Sequence, residues 1–410
     1  MPHVRALRKV LRRDVLTICA VIFCADLMSG TIAPSFSLFA QDLGASLTLI
    51  GALSSIVGLT QMLGSMPIGT ISDRIGRKAV ITLGMLLFSL SAVLYALAPS
   101  PYWLFIGRIL SGIAMISTFS LGVAYVGDIV EPSERGLAFG LYSTSMGLGF
   151  GIGPLIAGKV AEGYGVRGSY LFAALLSLMG AIIAARGLRR FARPASDAVE
   201  RIRLLPWSGT ASMLHNRKLL AGSLANLLMM STFGGAVSNF FPLYASQLFV
   251  NQAAINSMFS ARAFVSTLTR MPSGVLTTRV PSRIVMYTAL VLALVSMFLM
   301  TQAQSTTVLA LLLVLEGIAF GSFLTSGQVF VSENSTPSTR GTAVGFYGTA
   351  GSLGSTVSAI LLGAVAEMWG VRMVFQSLGI AILVGLLAIG YLNSDRHWRG
   401  FPLARPNRVR

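Results

Sequence analysis

Acidic side chains are scarce in this chain. Its 410 residues hold 14 Asp and Glu against 31 Lys and Arg, and charged residues make up only 11% of the total. Soluble domains carry about 25%, so a water-soluble globular fold is excluded. Cysteine is nearly absent. Cys19 and Cys24 lie five apart in one apolar stretch, fit no metal or redox spacing, and read as small apolar fillers. The three histidines, His3, His215 and His397, fall outside every apolar stretch, so no histidine site and no bound metal are expected. No Walker motif is present and no segment is polar enough for a catalytic domain. That argues against a nucleotide-driven pump and against an enzyme, and no cofactor is expected.

What the chain has in quantity is long apolar runs. Windows of about 20 residues, the length needed to span a bilayer, recur near 15–40, 49–71, 79–98, 102–126, 137–161, 168–187, 218–246, 254–277, 284–303, 306–331, 342–366 and 373–393. The pattern predicts an all-α membrane protein with twelve transmembrane helices. The first run follows a basic segment and mimics a signal peptide, but it is too long for one and reads as the first helix.

The net charge of +17 invites a nucleic-acid partner, and its placement argues against one. Of the 31 basic residues, 25 fall in segments on one side: the Arg5–Arg13 cluster, Arg74–Lys78, Arg135, the run from Arg186 to Lys218, Arg279, Arg283, Arg340 and the C-terminal tail. Lys159, Arg167 and Arg372 fall at the other side, and Arg108, Arg262 and Arg270 within spans. By the positive-inside rule both termini are expected in the cytoplasm.

Shifted by 205 residues, half its length, the chain matches itself. From Asp128 to Arg167, laid over Glu333 to Arg372, 17 of 40 positions are identical, against the roughly 2 or 3 expected by chance. The matches include Arg135-Gly136 on Arg340-Gly341, Tyr142 on Tyr347, and Glu162, Gly165 and Arg167 on Glu367, Gly370 and Arg372. Both copies carry basic loops on the same side, so they are parallel repeats of six spans, a design of alternating-access transporters. The expected organisation is a cytoplasmic segment 1–14, a six-helix bundle 15–187, a basic linker 188–217 with Pro194 and Pro206, a second bundle 218–393, and a tail 394–410.

The loop after the second span reads Gly69-Thr-Ile-Ser-Asp73-Arg74-Ile-Gly76-Arg77-Lys78. It resembles motif A of the major facilitator superfamily, G-x-x-x-D-R-x-G-R-K, at every specified position. Gly76 permits a tight turn, and the basic groups stay at the headgroup surface. The resemblance implies a cytoplasmic latch between the halves. Its shifted copy has Thr278 in place of Asp73, so a charged latch is expected mainly in the first half. The fourth span carries Arg108-Ile-Leu-Ser-Gly112, similar to motif B, whose arginine the resemblance links to proton coupling. A guanidinium inside a span is costly and needs a partner or a wet cavity. Its shifted equivalent is Leu313. The fifth span, with Gly147, Gly149, Gly151, Gly153, Pro154, Ala157 and Gly158, resembles motif C of antiporters. Small residues four apart let helices pack closely, and Pro154 bends the helix. In the second copy Gly153-Pro154 becomes Ser358-Ala359.

Asp26 in the first span looks like the acidic position of twelve-span drug:proton antiporters, and a buried carboxylate is a plausible proton carrier. Arg270, near a helix end, is expected to snorkel. Glu316 and Arg262 lie at similar depth; they could pair, or Glu316 could face the cavity as a coupling group and Arg262 as a cavity wall. Met and aromatic residues suit varied amphiphilic ligands, which nominates Phe36, Met230, Phe233, Asn239, Phe240 and Phe320 as further cavity walls.

The resemblance covers nearly the whole chain. It implies a secondary transporter of the major facilitator fold in two pseudo-symmetric halves, a proton-coupled antiporter exporting small amphiphilic or drug-like compounds by alternating access. The alternative is a symporter or uniporter importing a small metabolite; a non-transporting membrane receptor on the same scaffold is more remote. The expected partners are a small-molecule substrate, protons as coupling ion and the lipid bilayer, with no nucleic acid. A monomer in the cell membrane is expected.

Overall fold

The computed structural model describes residues 12–131, 134–189, 216–336 and 339–393. The expected N-terminal segment, apart from its last residues, nearly all of the basic linker, the tail and the three histidines lie outside the described residues. Twelve helices follow one another: α1 Arg13–Asp42, α2 Leu47–Ile75, α3 Arg77–Ala96, α4 Trp103–Ile129, α5 (135–164), α6 (166–187), α7 Arg217–Gln247, α8 Gln252–Leu276, α9 Ser282–Met300, α10 Thr306–Glu333, α11 Arg340–Trp369 and α12 Val371–Asn393. There is no strand among the described residues. Among the described residues, ten stretches are long and apolar enough to cross a membrane. One of them, Arg135–Gly187, is α5 and α6 back to back, and α8, diluted by Arg262 and Arg270, is the helix that falls short on composition. The chain is a multi-pass membrane protein.

Helix starts follow from their caps. The side chains of Ser46, Asn216, Asn251 and Ser305 each accept a backbone N–H three residues on, satisfying an amide that the helix itself leaves free. The α5–α6 and α11–α12 turns each rest on a single glycine. Gly165 has φ +69° and Gly370 φ +88°, a region other residues rarely enter, and the two are duplicates of one another. Short turns make successive helices antiparallel, so α1 begins and α12 ends on one face, called here the terminal face; the opposite one is the distal face.

Each half buries an aromatic core. In the first, Tyr95 stands edge-on to Phe36 at 5.4 Å and to Tyr170 at 6.2 Å, and Phe39 packs on Tyr170 at 5.2 Å. In the second, Phe241 meets Phe259 at 5.9 Å and Tyr244 meets Phe375 at 5.4 Å. Outward-facing side chains such as Leu63, Leu175, Leu361 and Leu387 are exposed and apolar, as a lipid-facing surface requires. Lipid removes the hydrophobic drive between helices, so close backbone contact does the packing. Gly317 and Gly321 of α10 lie against the backbone of α8 at Arg262 and Ser266.

The two halves meet on the distal face. Ser55 of α2 donates to the Thr356 carbonyl of α11 at 2.5 Å, and Gly51 nests against Ala359 and Gly363. Gln252, at the start of α8, donates to the Pro34 carbonyl at 3.4 Å. The Glu367 carboxylate of α11 accepts the Leu47 and Thr48 amides of α2 at 2.7 and 3.2 Å.

Candidate functional site: a central cavity and its intramembrane charges

Between the halves lies a cavity of about 260 Å³. Met28, Ile32 and Phe36 of α1, Phe150 of α5 and Phe233 of α7 give it an apolar wall, and Ser54, Gln61, Tyr95, Arg108, Ser111 and Asn239 give it polar points. A second space of about 620 Å³, bounded by Met230, Gln328 and Tyr347, shares Gln61 and Ser355 with the first and continues toward the terminal face. The cavity is thus closed by the distal contacts and reached from the terminal side.

Two helices in the wall carry π-helical turns, Ile116–Ser120 in α4 and Ser231–Val237 in α7. Such a turn inserts a residue and loosens the local hydrogen-bond ladder. Asn239 compensates in α7: its Nδ2 donates to the Gly234 and Gly235 carbonyls at 2.6 and 3.0 Å. Its Oδ1 accepts the Ser54 hydroxyl of the other half at 2.6 Å. Asn239 therefore both repairs the turn and ties the halves together beside the cavity.

The glycines of α5 sort onto two faces. A Cβ on Gly153 would lie 2.8 Å from the backbone of Gly30 and Thr31, and one on Gly149 3.0 Å from the Leu27 nitrogen; this face is fixed to α1 of the same half. Gly147, Gly151 and Gly158 face Thr267, Phe264 and Asn256 of α8 in the other half. Pro154 has no N–H for the Phe150 carbonyl, and Gly30 takes the vacated place, so close that a Cβ there would sit 2.6 Å from that oxygen.

The intramembrane charges divide into three settings. Asp26 is 7% exposed, beside Gly149, and has no hydrogen-bond partner among the described residues. The cation whose field reaches it is Arg270 of α8; Arg108 is not that partner. Arg270 does not simply snorkel, because its Nε is buried without a hydrogen bond. Arg262 and Glu316 are 2% and 0% exposed and form a two-point ion pair, Nε to Oε2 and Nη2 to Oε1, the latter at 3.0 Å. Thr232 donates to the same carboxylate at 3.2 Å, and Phe233 and Phe320 cover the guanidinium at 3.9 and 4.9 Å. Of the two arrangements open to this pair, the structure has the ion pair. Arg262 is accordingly no cavity wall, and Glu316 presents no free carboxylate to the cavity.

Arg108 lies in the cavity wall with its guanidinium 3.4 Å above the centre of the Phe36 ring. On the terminal face, Gly76 turns with φ +91° and sends Arg77 onto Asp128 of α4 at 2.6 Å. The shifted copy of that pair is Ser282 with Glu333, a hydroxyl–carboxylate hydrogen bond. Asp73 makes no ion pair among the described residues.

Of the nominated cavity residues, Phe36, Phe233 and Asn239 line the central space and Met230 the adjoining one. Phe240 is fully buried and outside both walls. Phe320 stands one ring behind, 5.3 Å from Phe233. Ser54, Gln61, Tyr95 and Ser111 were not singled out in the sequence, although a polar group on an apolar span is itself a signal. Glu367 figures in the sequence only as the repeat's match to Glu162, and its contact with the opposite half has no signal there.

The sequence matches the family described as Major Facilitator Superfamily over residues 18–253 and 230–408. It is 25% identical to the MFS-type transporter MJ1560 of Methanocaldococcus jannaschii over 389 residues, 94% of this chain and 99% of that protein. It is 35% identical to Multidrug resistance protein 2 of Bacillus subtilis over 161 residues, 39% of this chain and 40% of that one. Among solved structures, a bacterial homologue of the human lysosomal transporter Spinster, in an inward-facing and unoccupied conformation, superposes with a TM-score of 0.75. The match covers 92% of this chain and 95% of that one at 16% identity. Twelve helices in two like halves around one cavity, with the family match along both halves, make this chain a member of the Major Facilitator Superfamily of membrane transporters.

Proposed function

We propose that the protein is a proton-coupled antiporter that exports small amphiphilic compounds from the cytoplasm across the cell membrane. The terminal face is then cytoplasmic, as its basic loops suggest, and the form described is open inward. The observation that carries this reading is Asp26, a carboxylate buried at the α1–α5 seam with Arg270 of the opposite half as its charged neighbour. An ionised Asp26 attracts α8 of the other half, and a protonated Asp26 does not. Proton uptake thereby changes the attraction between the halves, which is what coupling requires: the ion must favour one arrangement over the other. The glycine seam of α5 supports the reading by placing the Asp26 Cβ against Gly149 of α5, which also contacts α8. Partial likeness to a multidrug resistance protein agrees with an amphiphilic cargo. Arg74, Arg77 and Lys78 with Gly69 and Asp73 form the cytoplasmic gate that engages when the molecule opens outward.

Proteoliposomes with an imposed pH gradient test this. A fluorescent amphiphile should accumulate where the lumen is acidic, beyond the level in protein-free vesicles, and Asp26→Asn should abolish the gradient dependence. Accumulation in alkaline vesicles instead, the mark of symport, or an Asp26→Asn protein that still follows the gradient, would end the proposal.

A further inference from the structure

The charge of the central cavity is one-sided. Among the described residues, Arg108 is the one charged residue in its wall. The two acids that could have balanced it are occupied or absent: Glu316 is bound by Arg262, and Asp26 is not part of the wall. Arg108 itself makes no hydrogen bond or ion pair with a described residue, and its Nε is buried. The two tyrosines whose fields reach it are committed elsewhere, with Tyr95 bonded to Ser111 at 2.8 Å and Tyr170 to Ser35 at 3.1 Å. One face of the guanidinium is covered by Phe36, which holds the plane fixed without using a single N–H donor.

A planar fork of five donors, held rigid and left unbonded in a low-dielectric site, is suited to a planar oxyanion. We infer that Arg108 is the substrate-recognition residue of this cavity, and that the cargo is an anionic amphiphile: a carboxylate on a compact aromatic or branched apolar body. The carboxylate meets the guanidinium edge-on, and the body lies against Met28, Ile32, Phe150 and Phe233. A cationic amphiphile finds no counter-charge here and is repelled. The small volume favours a cargo of one or two rings. This deepens the transport reading, resting on the cavity being the cargo site, and moves Arg108 from proton coupling to cargo recognition.

Binding to the purified protein in detergent separates the two ideas, since it needs neither gradient nor direction. The probes are matched trios built on benzene and naphthalene bodies: the carboxylate, its primary amide and the corresponding amine. Intrinsic tryptophan fluorescence and ligand-induced thermal shift give the affinities. The carboxylate should bind at least about ten-fold more tightly than the amide, one decade of affinity, and the amine most weakly. Arg108→Gln should erase the gap between carboxylate and amide while leaving amide binding in place, and Arg108→Lys, which keeps the charge without the fork, should fall between. If no carboxylate outbinds its amide on the wild-type protein, the inference is overturned, whatever the variants do. Unchanged carboxylate affinity in Arg108→Gln overturns it as well. Failure of proton antiport in vesicles, with the carboxylate preference intact, would remove the coupling reading alone.

Discussion

The carboxylate of Glu367 accepts the backbone amide of Leu47 at 2.7 Å, and these two residues belong to opposite halves. Leu47 opens α2, so the acid sits where the helix leaves its first amides free and where its dipole favours negative charge. Ser46 serves the Leu49 amide of the same turn, and Glu367 serves Leu47 and Thr48. One helix start is thereby capped from two halves. The duplication supplied a second copy of the arrangement, Glu162 against the start of α8, yet Glu162 is exposed and makes no such bond. The distal seal is therefore charged on one side only.

Glu367→Ala should loosen that seal. Charge-assisted bonds to a helix start are worth about 1–2 kcal/mol, enough to shift the balance between the two access states roughly ten-fold toward distal opening. Spin labels on Asp42 and Met368, both at the distal end, would report a longer distance in the variant. An unchanged distance distribution would mean the seal rests on Ser55, Gly51 and Gly363 alone.

The buried pair of Arg262 and Glu316 should behave as a unit. Removing one member leaves the other charge stranded, at a cost of about 3–5 kcal/mol. Glu316→Gln and Arg262→Met should each lower the thermal unfolding midpoint in detergent sharply. The double variant Arg262→Met with Glu316→Leu should recover most of the loss. If the double variant is as unstable as the sum of the singles, the pair is not acting through mutual neutralisation.

The two glycine faces of α5 predict two kinds of defect. Gly153→Ala forces a methyl into the backbone of α1, an overpacking cost of about 1–3 kcal/mol, and should appear as lost thermal stability. Gly147→Ala meets the Thr267 side chain of the other half, with no backbone among its nearest atoms. It should leave stability near wild type and instead shift the access equilibrium, read by labels on the terminal face. Equal stability losses from both variants would contradict this division.

Asn239→Ala should strand the Gly234 and Gly235 carbonyls and the Ser54 hydroxyl together. With about 1–3 kcal/mol for a buried polar group left unsatisfied, the variant should unfold at lower temperature, and Ser54→Ala should not worsen it further. A larger loss in the double variant would show that Ser54 contributes apart from Asn239.

How much of this could be read from residues alone follows from what residues report. The spans, the Gly165 and Gly370 turns and the parallel repeats are legible because hydropathy and duplication act along the chain. The rotational phase of a helix is not legible when it is apolar all round. Phe240 and Phe233 are seven apart in the same α7 run, and one is buried within its half while the other lines the cavity. The π turn between Ser231 and Val237 shifts that phase again without marking the sequence. That Arg270 and not Arg108 is the cation whose field reaches Asp26 depends on how α8 docks against α1 and α5, a relation between halves that neither half encodes by itself. Glu162 and Glu367 are identical in the alignment of repeats, yet Glu367 reaches the start of a helix in the opposite half and Glu162 does not.

The single-glycine turns at Gly165 and Gly370 leave no slack between α5 and α6 or between α11 and α12. Each pair is a stiff lever, one arm at the cargo space and the other carrying exposed leucines such as Leu175 and Leu387 into the bilayer. When the inner arm tilts to close one side and open the other, the outer arm must plough through the acyl chains. Part of the work of every turnover is then done on lipid, and membrane thickness and fluidity become determinants of transport rate alongside the cargo.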